Sequence, residues 1–443
     1  MVTTTAQSIP PASPTKRGRG EIRALTGLRA VAATWVVLFH FRSLLTPYLD
    51  HLPLAEPLVD AGWIGVELFF ILSGFVIALR YLDEVGGRPT PAVVARFVWN
   101  RIARVWPAWA VLTVIMGGWI WTLRSVGWDA DVLGPHPDAD VLTMVRQLSM
   151  TQMWGEDNLL GASYLIPGWS ISAEWLAYLA FPLLAVLLRP LRRLHPAMNF
   201  LLAHLAITPL VVISYRTGPL DWSQNWLLRI ACAFTAGMLL ALALRDMRTT
   251  PALQTWAARL TWVTPLVVVL VSVWASWRAG GDPGVDFHGV AVLAFPALIA
   301  ALAVSDRGTA RWLARPALVY GGRISYCLYL VHFAVLEMAL TVAWQDPATR
   351  FHLTPELVLL MPLGILVAFG LSALLHHGVE KPCQRLMVGP PRRFARRVAA
   401  RDNGLRAAGG SAKPRIIIPG AREAATERLV PSAAVSGRAT ASR

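Results

Sequence analysis

Apolar residues along the chain fall in blocks of about 20, separated by short connectors that carry most of the charge. A block of that length, wound as an α-helix, matches the roughly 30 Å hydrocarbon thickness of a bilayer. Such blocks lie at about 25–45, 62–80, 105–123, 169–188, 198–214, 226–244, 260–277, 287–304, 318–341 and 356–376. The pattern predicts an all-α fold, a polytopic transmembrane helical bundle of about ten spans. No small-residue cleavage site follows the first block, so it is expected to stay as a span rather than leave as a signal peptide. No internal repeat divides the chain into two similar halves. Residues 1–23 read as a disordered basic N-terminal arm, 24–386 as the membrane domain and 387–443 as a basic, largely disordered tail. The longest outer connector, about 124–168, holds a semi-apolar stretch, VLTMVRQLSMTQMW, expected to lie along the membrane and to border a substrate site.

Composition narrows the class. Only 15% of the 443 residues are charged and 55% are hydrophobic, whereas soluble domains carry about 25% charged residues. A water-soluble enzyme is thereby excluded. With three cysteines a disulfide scaffold is excluded too, and Cys232, Cys327 and Cys383 are expected as free thiols. The net charge of +15 would suggest nucleic acid in a soluble protein. Its location says otherwise: residues 381–443 hold +11, residues 1–26 hold +3 and the body between them only +1. Within the body, connectors after even-numbered blocks carry Arg80, Arg88, Arg96, Arg101 and Arg104, then Arg189, Arg192 and Arg193, and similar sets further on. Connectors after odd-numbered blocks collect acids such as Asp50, Glu56, Asp60, Asp129, Asp131 and Glu156. Positive connectors stay inside, so both termini are predicted to be cytoplasmic in a multi-pass protein of the cell membrane. The lipid bilayer is the expected partner, and nucleic acid is not.

A charge within the bilayer is costly unless it faces a cavity or a partner, which marks each one as a functional candidate. In GLRAVAATWVVLFHF, Arg29 and His40 lie eleven residues apart, about 20° past three turns and about 16 Å along one helix face. That spacing suits an anionic donor held at the inner face with chemistry higher up. The plainer reading is an arginine snorkelling to lipid phosphates and an interfacial histidine. Glu67 in GWIGVELFF and Glu174 in GWSISAEWL fall at a depth similar to His40, compatible with one outward-facing cavity in which a carboxylate orients the imidazole. Each glutamate also suits a structural bond to a neighbouring helix, Glu67 as readily as a functional role and Glu174 less so, and Arg229 is a candidate partner. In RISYCLYLVHF, Ser325, Tyr326 and His332 line an otherwise apolar helix, either as site residues or as interhelical hydrogen bonds. His204 reads as a satisfied interior histidine.

Arg96, Arg101 and Arg104, with Arg29 and Arg323 at the same face, offer a guanidinium-lined phosphate pocket, although positive-inside topology supplies such arginines without any ligand. Glu380 in HHGVEKPCQR suits a helix-end ion pair. There is no GxSxG elbow, P-loop, HExxH or paired-cysteine zinc signature, so no metal is expected and the chemistry falls to His, Glu, Arg and hydroxyl groups.

Seven segments in order, LTGLRAVAATWVVLFHF, GWIGVELFFILSGFVI, RFVWNRIARVWPAW, PGWSISAEWLAYLAFP, RIACAFTAGMLL, RISYCLYLVHF and HHGVEKPCQR, resemble the acyltransferase 3 family over about residues 22–386. These are membrane O-acyltransferases that modify bacterial polysaccharides, peptidoglycan and glycosylated natural products. The resemblance implies O-acetylation or transfer of another short acyl group, from acyl-CoA as co-substrate with no bound cofactor, to a hydroxyl of a carbohydrate or glycosylated acceptor. That acceptor is a cell-surface glycan or a small metabolite such as a macrolide. The resemblance also implies catalytic roles for Arg29, His40 and Glu174, with Arg101, Arg104 and Pro107 matching the arginine motif. Asn100 stands where a further basic residue is common, and Phe333 where Trp is frequent. The rival class is a transporter or flippase, which uses intramembrane charge equally well. Against it stand the missing inverted repeat and the clustering of ionisable groups toward one face.

Overall fold

The computed structural model describes residues 21–388 apart from 50, 51, 53, 88, 219–223, 246, 248, 283 and 349. The expected disordered arm (its residues 1–20) and the tail beyond residue 388 lie outside the described residues. Among the described residues there is no strand. The helices are α1 (Arg23–His40), α2 (Arg42–Leu49), α3 (Ala55–Asp60), α4 (Gly65–Gly87) and α5 (Pro91–Ser125). They continue with α6 (Val141–Leu148), α7 (Trp169–Leu188), α8 (Pro196–Thr217), α9 (Asn225–Arg245) and α10 (Pro251–Ala279). The last are α11 (Phe295–Val304), α12 (Thr309–Leu313), α13 (Pro316–Ala343), α14 (Pro355–Leu375) and α15 (Lys381–Val388). A π-turn, His376–Glu380, joins the final two.

Every apolar block coincides with helix, but the count of spans differs from ten. Among the described residues eight helical stretches are long and apolar enough to cross a membrane, or nine if α1 and α2 form one broken span. Those two meet at 89°. Arg42 makes the break: its guanidinium lies 4.1 Å from the Phe39 ring and donates to the Phe39 carbonyl at 2.9 Å, while Phe41 is buried at the corner. The block at 287–304 is a 3₁₀ segment, His288–Ala294, running into the short α11. Large apolar side chains remain exposed along α8, α10 and α14, among them Leu205, Trp262, Leu270, Leu363 and Leu374. Lipid accounts for such a surface where water would not. The protein is a polytopic helical membrane protein.

Local sequence sets the helix starts. Thr90-Pro91, Thr250-Pro251 and Thr354-Pro355 each place a threonine at the N-cap, its hydroxyl accepting from the N–H three residues on, and a proline in the first turn. Small residues set the crossings. Gly74 and Gly237 bring α4 and α9 together with each backbone against the other, so that a Cβ at Gly74 would meet the Phe234 carbonyl and one at Gly237 the Ile71 carbonyl. Gly322 does the same for α13 against Thr26 of α1. These two contacts put α1, α4, α9 and α13 at the centre.

The connector 126–168 is folded onto the bundle. α6 presents Val141, Leu142 and Val145 outward, while its other face packs on α5, where Trp106 and Trp109 donate to the Leu148 and Gln147 carbonyls. Gln147 and Gln152 are buried, with amide N–H groups given to Ala162 and Gly168 carbonyls. Nearer the start, His136 is buried, its Nε2 2.8 Å from Glu337 and its Nδ1 3.2 Å from Asp131. Burial alone would lower the pKa of His136, but the Glu337 and Asp131 carboxylates outweigh it and hold the value above the ordinary 6.5. A raised folded-state pKa contributes stability that is full below pH 6.5 and is lost as pH rises through the folded value. Thermal unfolding in detergent is therefore expected to occur at lower temperature as pH rises above 6.5, and His136→Gln should flatten this part of the profile. Identical pH profiles for the two proteins would contradict this pairing of His136 with Glu337 and Asp131.

Candidate active site

Two clusters lie along the seam between α1, α4 and α13. The first is a histidine pair. His40 closes α1 and its Nδ1 lies 2.9 Å from the Val36 carbonyl; His332 Nδ1 lies 2.9 Å from the Leu328 carbonyl. A carbonyl only accepts, so both Nδ1 atoms carry hydrogen in the neutral rings. His332 Nε2 is then an acceptor and takes the second half of the His40 Nδ1–H bond at 3.2 Å. The proton of His40 is thereby fixed on Nδ1, and its Nε2 presents a lone pair with no hydrogen-bond partner among the described residues. Phe333 packs edge-on against the His40 ring at 5.3 Å. His332 is fully buried, whereas His40 is half-buried and reachable.

The second cluster gathers Arg29, Arg101 and Arg104, near enough for Arg29 and Arg101 to repel Arg104 electrostatically. Arg104 pairs with the buried Glu380, which also accepts from His376 Nδ1 at 2.8 Å and from the Cys327 thiol at 3.0 Å. Arg101 lies over the rings of Tyr81 and Tyr178, 5.5 and 5.9 Å from their centres. Glu174 accepts from Tyr178 at 2.5 Å and from Ser73 at 2.6 Å. Tyr326 donates to the Val105 carbonyl and Ser325 to the Gly322 carbonyl. Of the remaining predicted donor residues, Arg96 pairs with Glu84 and Arg323 is exposed on α13 near His376.

The clusters are joined by aromatic contacts. Arg29 Cζ lies 6.0 Å from the Phe69 ring, Phe69 6.3 Å from Tyr329, and Tyr329 5.8 Å from His332. Continuous helix from Arg23 to His40 makes the expected one-face register of Arg29 and His40 real.

The expected grouping of His40, Glu67 and Glu174 in one cavity does not form. His332, not Glu174, is the partner of His40. Glu67 pairs with Arg229 at 2.5 Å, and that guanidinium lies between Trp63 and Trp169, 5.2 and 4.4 Å from their ring centres. The reason is register: α4 and α9 run parallel, pairing Glu67 with Arg229 as they pair Asp83 with Arg245. Depth along the chain says nothing of which face a glutamate occupies. His204 is satisfied as expected, by the Phe200 carbonyl, and the three cysteines are free thiols.

Outside the two clusters, a cavity of about 250 Å³ opens beyond the end of α1, lined by Arg42, Ser43, Thr46, Glu56 and Asp60. Cys327, His376 and Glu380 place ligand-type atoms within 4.8 Å of one another, but Arg104 already holds the carboxylate and its charge opposes a cation. Sequence reasoning missed Ser73 and Tyr178, whose roles depend on the crossing of α4 and α7. It also missed Asp286 and His288, which a short D-x-H run in the connector after α10 could have signalled.

The fold and site together define a multi-span membrane protein with a cluster of arginines, Arg29 of α1 among them, and an oriented histidine further along the same helix. The chain belongs to the acyltransferase 3 family: the family model, described as an acyltransferase domain, matches residues 22–377. It is a transferase. It is 28% identical over 395 residues to Acyltransferase MdmB of Streptomyces mycarofaciens, covering 82% of this chain and 92% of that protein. It is 23% identical over 375 residues to a Staphylococcus aureus protein provisionally named an O-acetyltransferase, covering 75% of this chain and 57% of the other. No solved structure matches the chain.

Proposed function

We propose that this membrane O-acyltransferase moves an acetyl or other short acyl group from acyl-CoA to a hydroxyl of a carbohydrate or glycosylated acceptor. The observation that carries the reading is the placement of three arginines and one proton-accepting histidine on a single connected seam. Guanidinium groups bind phosphates through paired, charge-assisted hydrogen bonds, and Arg29, Arg101 and Arg104 outnumber the carboxylates beside them, Glu174 and Glu380. In this reading they hold the nucleotide phosphates of the donor, while the acyl thioester extends along Phe69 and Tyr329 toward His40. Glu174, bonded to Tyr178 and Ser73, positions the wall of the donor pocket rather than the base.

At His40, the acceptor hydroxyl gives its proton to Nε2 as its oxygen attacks the thioester carbonyl. The carbonyl–sulfur bond then breaks and the proton passes to the departing thiolate. His332 keeps the other proton on Nδ1, which leaves Nε2 as the basic atom. The hydroxyl- and charge-lined cavity at Ser43, Thr46 and Asp60 is the acceptor's entrance. In this reading both termini and the arginines lie on the cytoplasmic side of the cell membrane and the acceptor on the other, which the loop charges support.

Purified protein given labelled acetyl-CoA and a panel of sugars and glycosides tests this. The expected result is free CoA with matching ester product, and a raised KM for acetyl-CoA in Arg101→Gln. Movement of a solute across proteoliposomes with no donor consumed would establish the transporter instead.

A further inference from the structure

The outer connector after α10 assembles a third cluster that the histidine pair and the arginines do not use. Asp286 Oδ1 accepts from the His288 ring Nδ1 at 2.6 Å and from the His288 backbone N–H at 2.8 Å. Its second oxygen accepts from Trp63 Nε1 at 2.7 Å. On the other side of the ring, His288 Nε2 lies 3.2 Å from the Ser276 hydroxyl near the end of α10. With its Nδ1 hydrogen given to the carboxylate, the neutral ring has a lone pair on Nε2, so the serine hydroxyl is the donor. His288 is buried and Ser276 half-buried, which leaves the oxygen approachable while the base is held. A hydroxyl bonded to an imidazole that a carboxylate orients is the arrangement of an activated serine nucleophile. The cluster faces the histidine site: Arg42, two residues beyond His40, lies 4.0 Å from Asp60, and both are electrostatic neighbours of Asp286.

We propose that Ser276, His288 and Asp286 form a second nucleophilic site, at which Ser276 takes up an acyl group as a serine ester by a covalent route separate from the direct transfer at His40. The acyl part of this rests on the donor reading above; the nucleophile does not. Ser276 Oγ bonds to the acyl carbonyl, the carbonyl–sulfur bond of the thioester breaks, and the serine proton passes through His288 Nε2 to the departing thiolate. In the second half the acceptor hydroxyl gives its proton to His288, its oxygen bonds to the carbonyl, and the proton returns to Ser276 as the serine ester breaks. Asp286 holds the ring in the tautomer that both halves need.

Membranes carrying the full chain are treated with a fluorophosphonate probe, and separately with labelled acetyl-CoA, and the modified peptide is located by mass spectrometry. The expected result is a probe adduct on Ser276 and a hydroxylamine-labile acetyl group at the same residue. Ser276→Ala removes both, and His288→Ala slows probe labelling about a hundredfold or more, the scale at which losing a general base acts. Equal thermal unfolding temperatures for wild type and variants show that labelling is lost without unfolding. His40→Ala keeps the probe adduct, because that histidine does not activate Ser276. Probe labelling of Ser276 that depends on His288, in a protein that consumes no acetyl-CoA, upholds the nucleophile and overturns the donor reading. A wild-type protein that turns over acetyl-CoA with no adduct on Ser276, or labelling unchanged in His288→Ala, overturns the proposal.

Discussion

Alanine at His40 is expected to lower acyl transfer by about a hundredfold to ten-thousandfold, the range a general base supplies, with the protein still folded. The expectation follows from the proton positions. Val36 and His332 hold hydrogen on Nδ1, so Nε2 is the lone-pair atom, with no hydrogen-bond partner among the described residues. His332→Ala keeps that nitrogen but frees the ring to rotate or change tautomer, so its loss should be smaller and should fall on kcat rather than on KM for the donor. Arg101→Gln should do the reverse. Thiol release followed with a chromogenic disulfide, on proteins matched for thermal unfolding, separates the three. Wild-type turnover in His40→Ala would place the base elsewhere.

The Glu67–Arg229 pair predicts the largest effect on folding. Both side chains are buried, and each leaves an uncompensated charge when the other is removed. Breaking such a pair costs about 3–5 kcal/mol, whereas replacing both members with apolar groups of similar size is often neutral. Arg229→Met should therefore unfold at markedly lower temperature in detergent, and Glu67→Leu combined with Arg229→Met should recover most of the loss. Turnover by the double variant then distinguishes a structural pair from a catalytic carboxylate, since a catalytic Glu67 would leave it stable but inactive. A double variant no more stable than Arg229→Met alone would contradict the pairing.

Much of this arrangement is legible in the residues. Length and spacing of the apolar blocks place every long helix, and the eleven-residue step from Arg29 to His40 survives because α1 is unbroken between them. What depends on two helices meeting is not legible. The break after His40, where Arg42 folds back onto Phe39, is a local contact inside an apolar run that hydropathy does not mark. The partner of His40 depends on the crossing of α1 and α13, which the absence of a side chain at Gly322 permits. Glu174 shows the limit most plainly: its depth was readable, but its face was set by Tyr178 one turn on and Ser73 across the interface. Ser276 near the end of α10, with His288 and Asp286 of the connector that follows it, escaped for a different reason. Ser276 sits inside a helix rather than on a nucleophile elbow, so no spacing announces it.

In the proposed reaction the donor enters at the arginines and the acyl group leaves at the far end of α1. Sealed proteoliposomes with protein in one known orientation, labelled acetyl-CoA on one side and an acceptor glycoside on the other, test it directly. Transfer is expected only with acetyl-CoA on the side that bears Arg101, with labelled ester on the opposite side and about a hundredfold less, or lower still, in His40→Ala. Equal transfer with the donor on either side, or ester formed only on the donor's side, would contradict it.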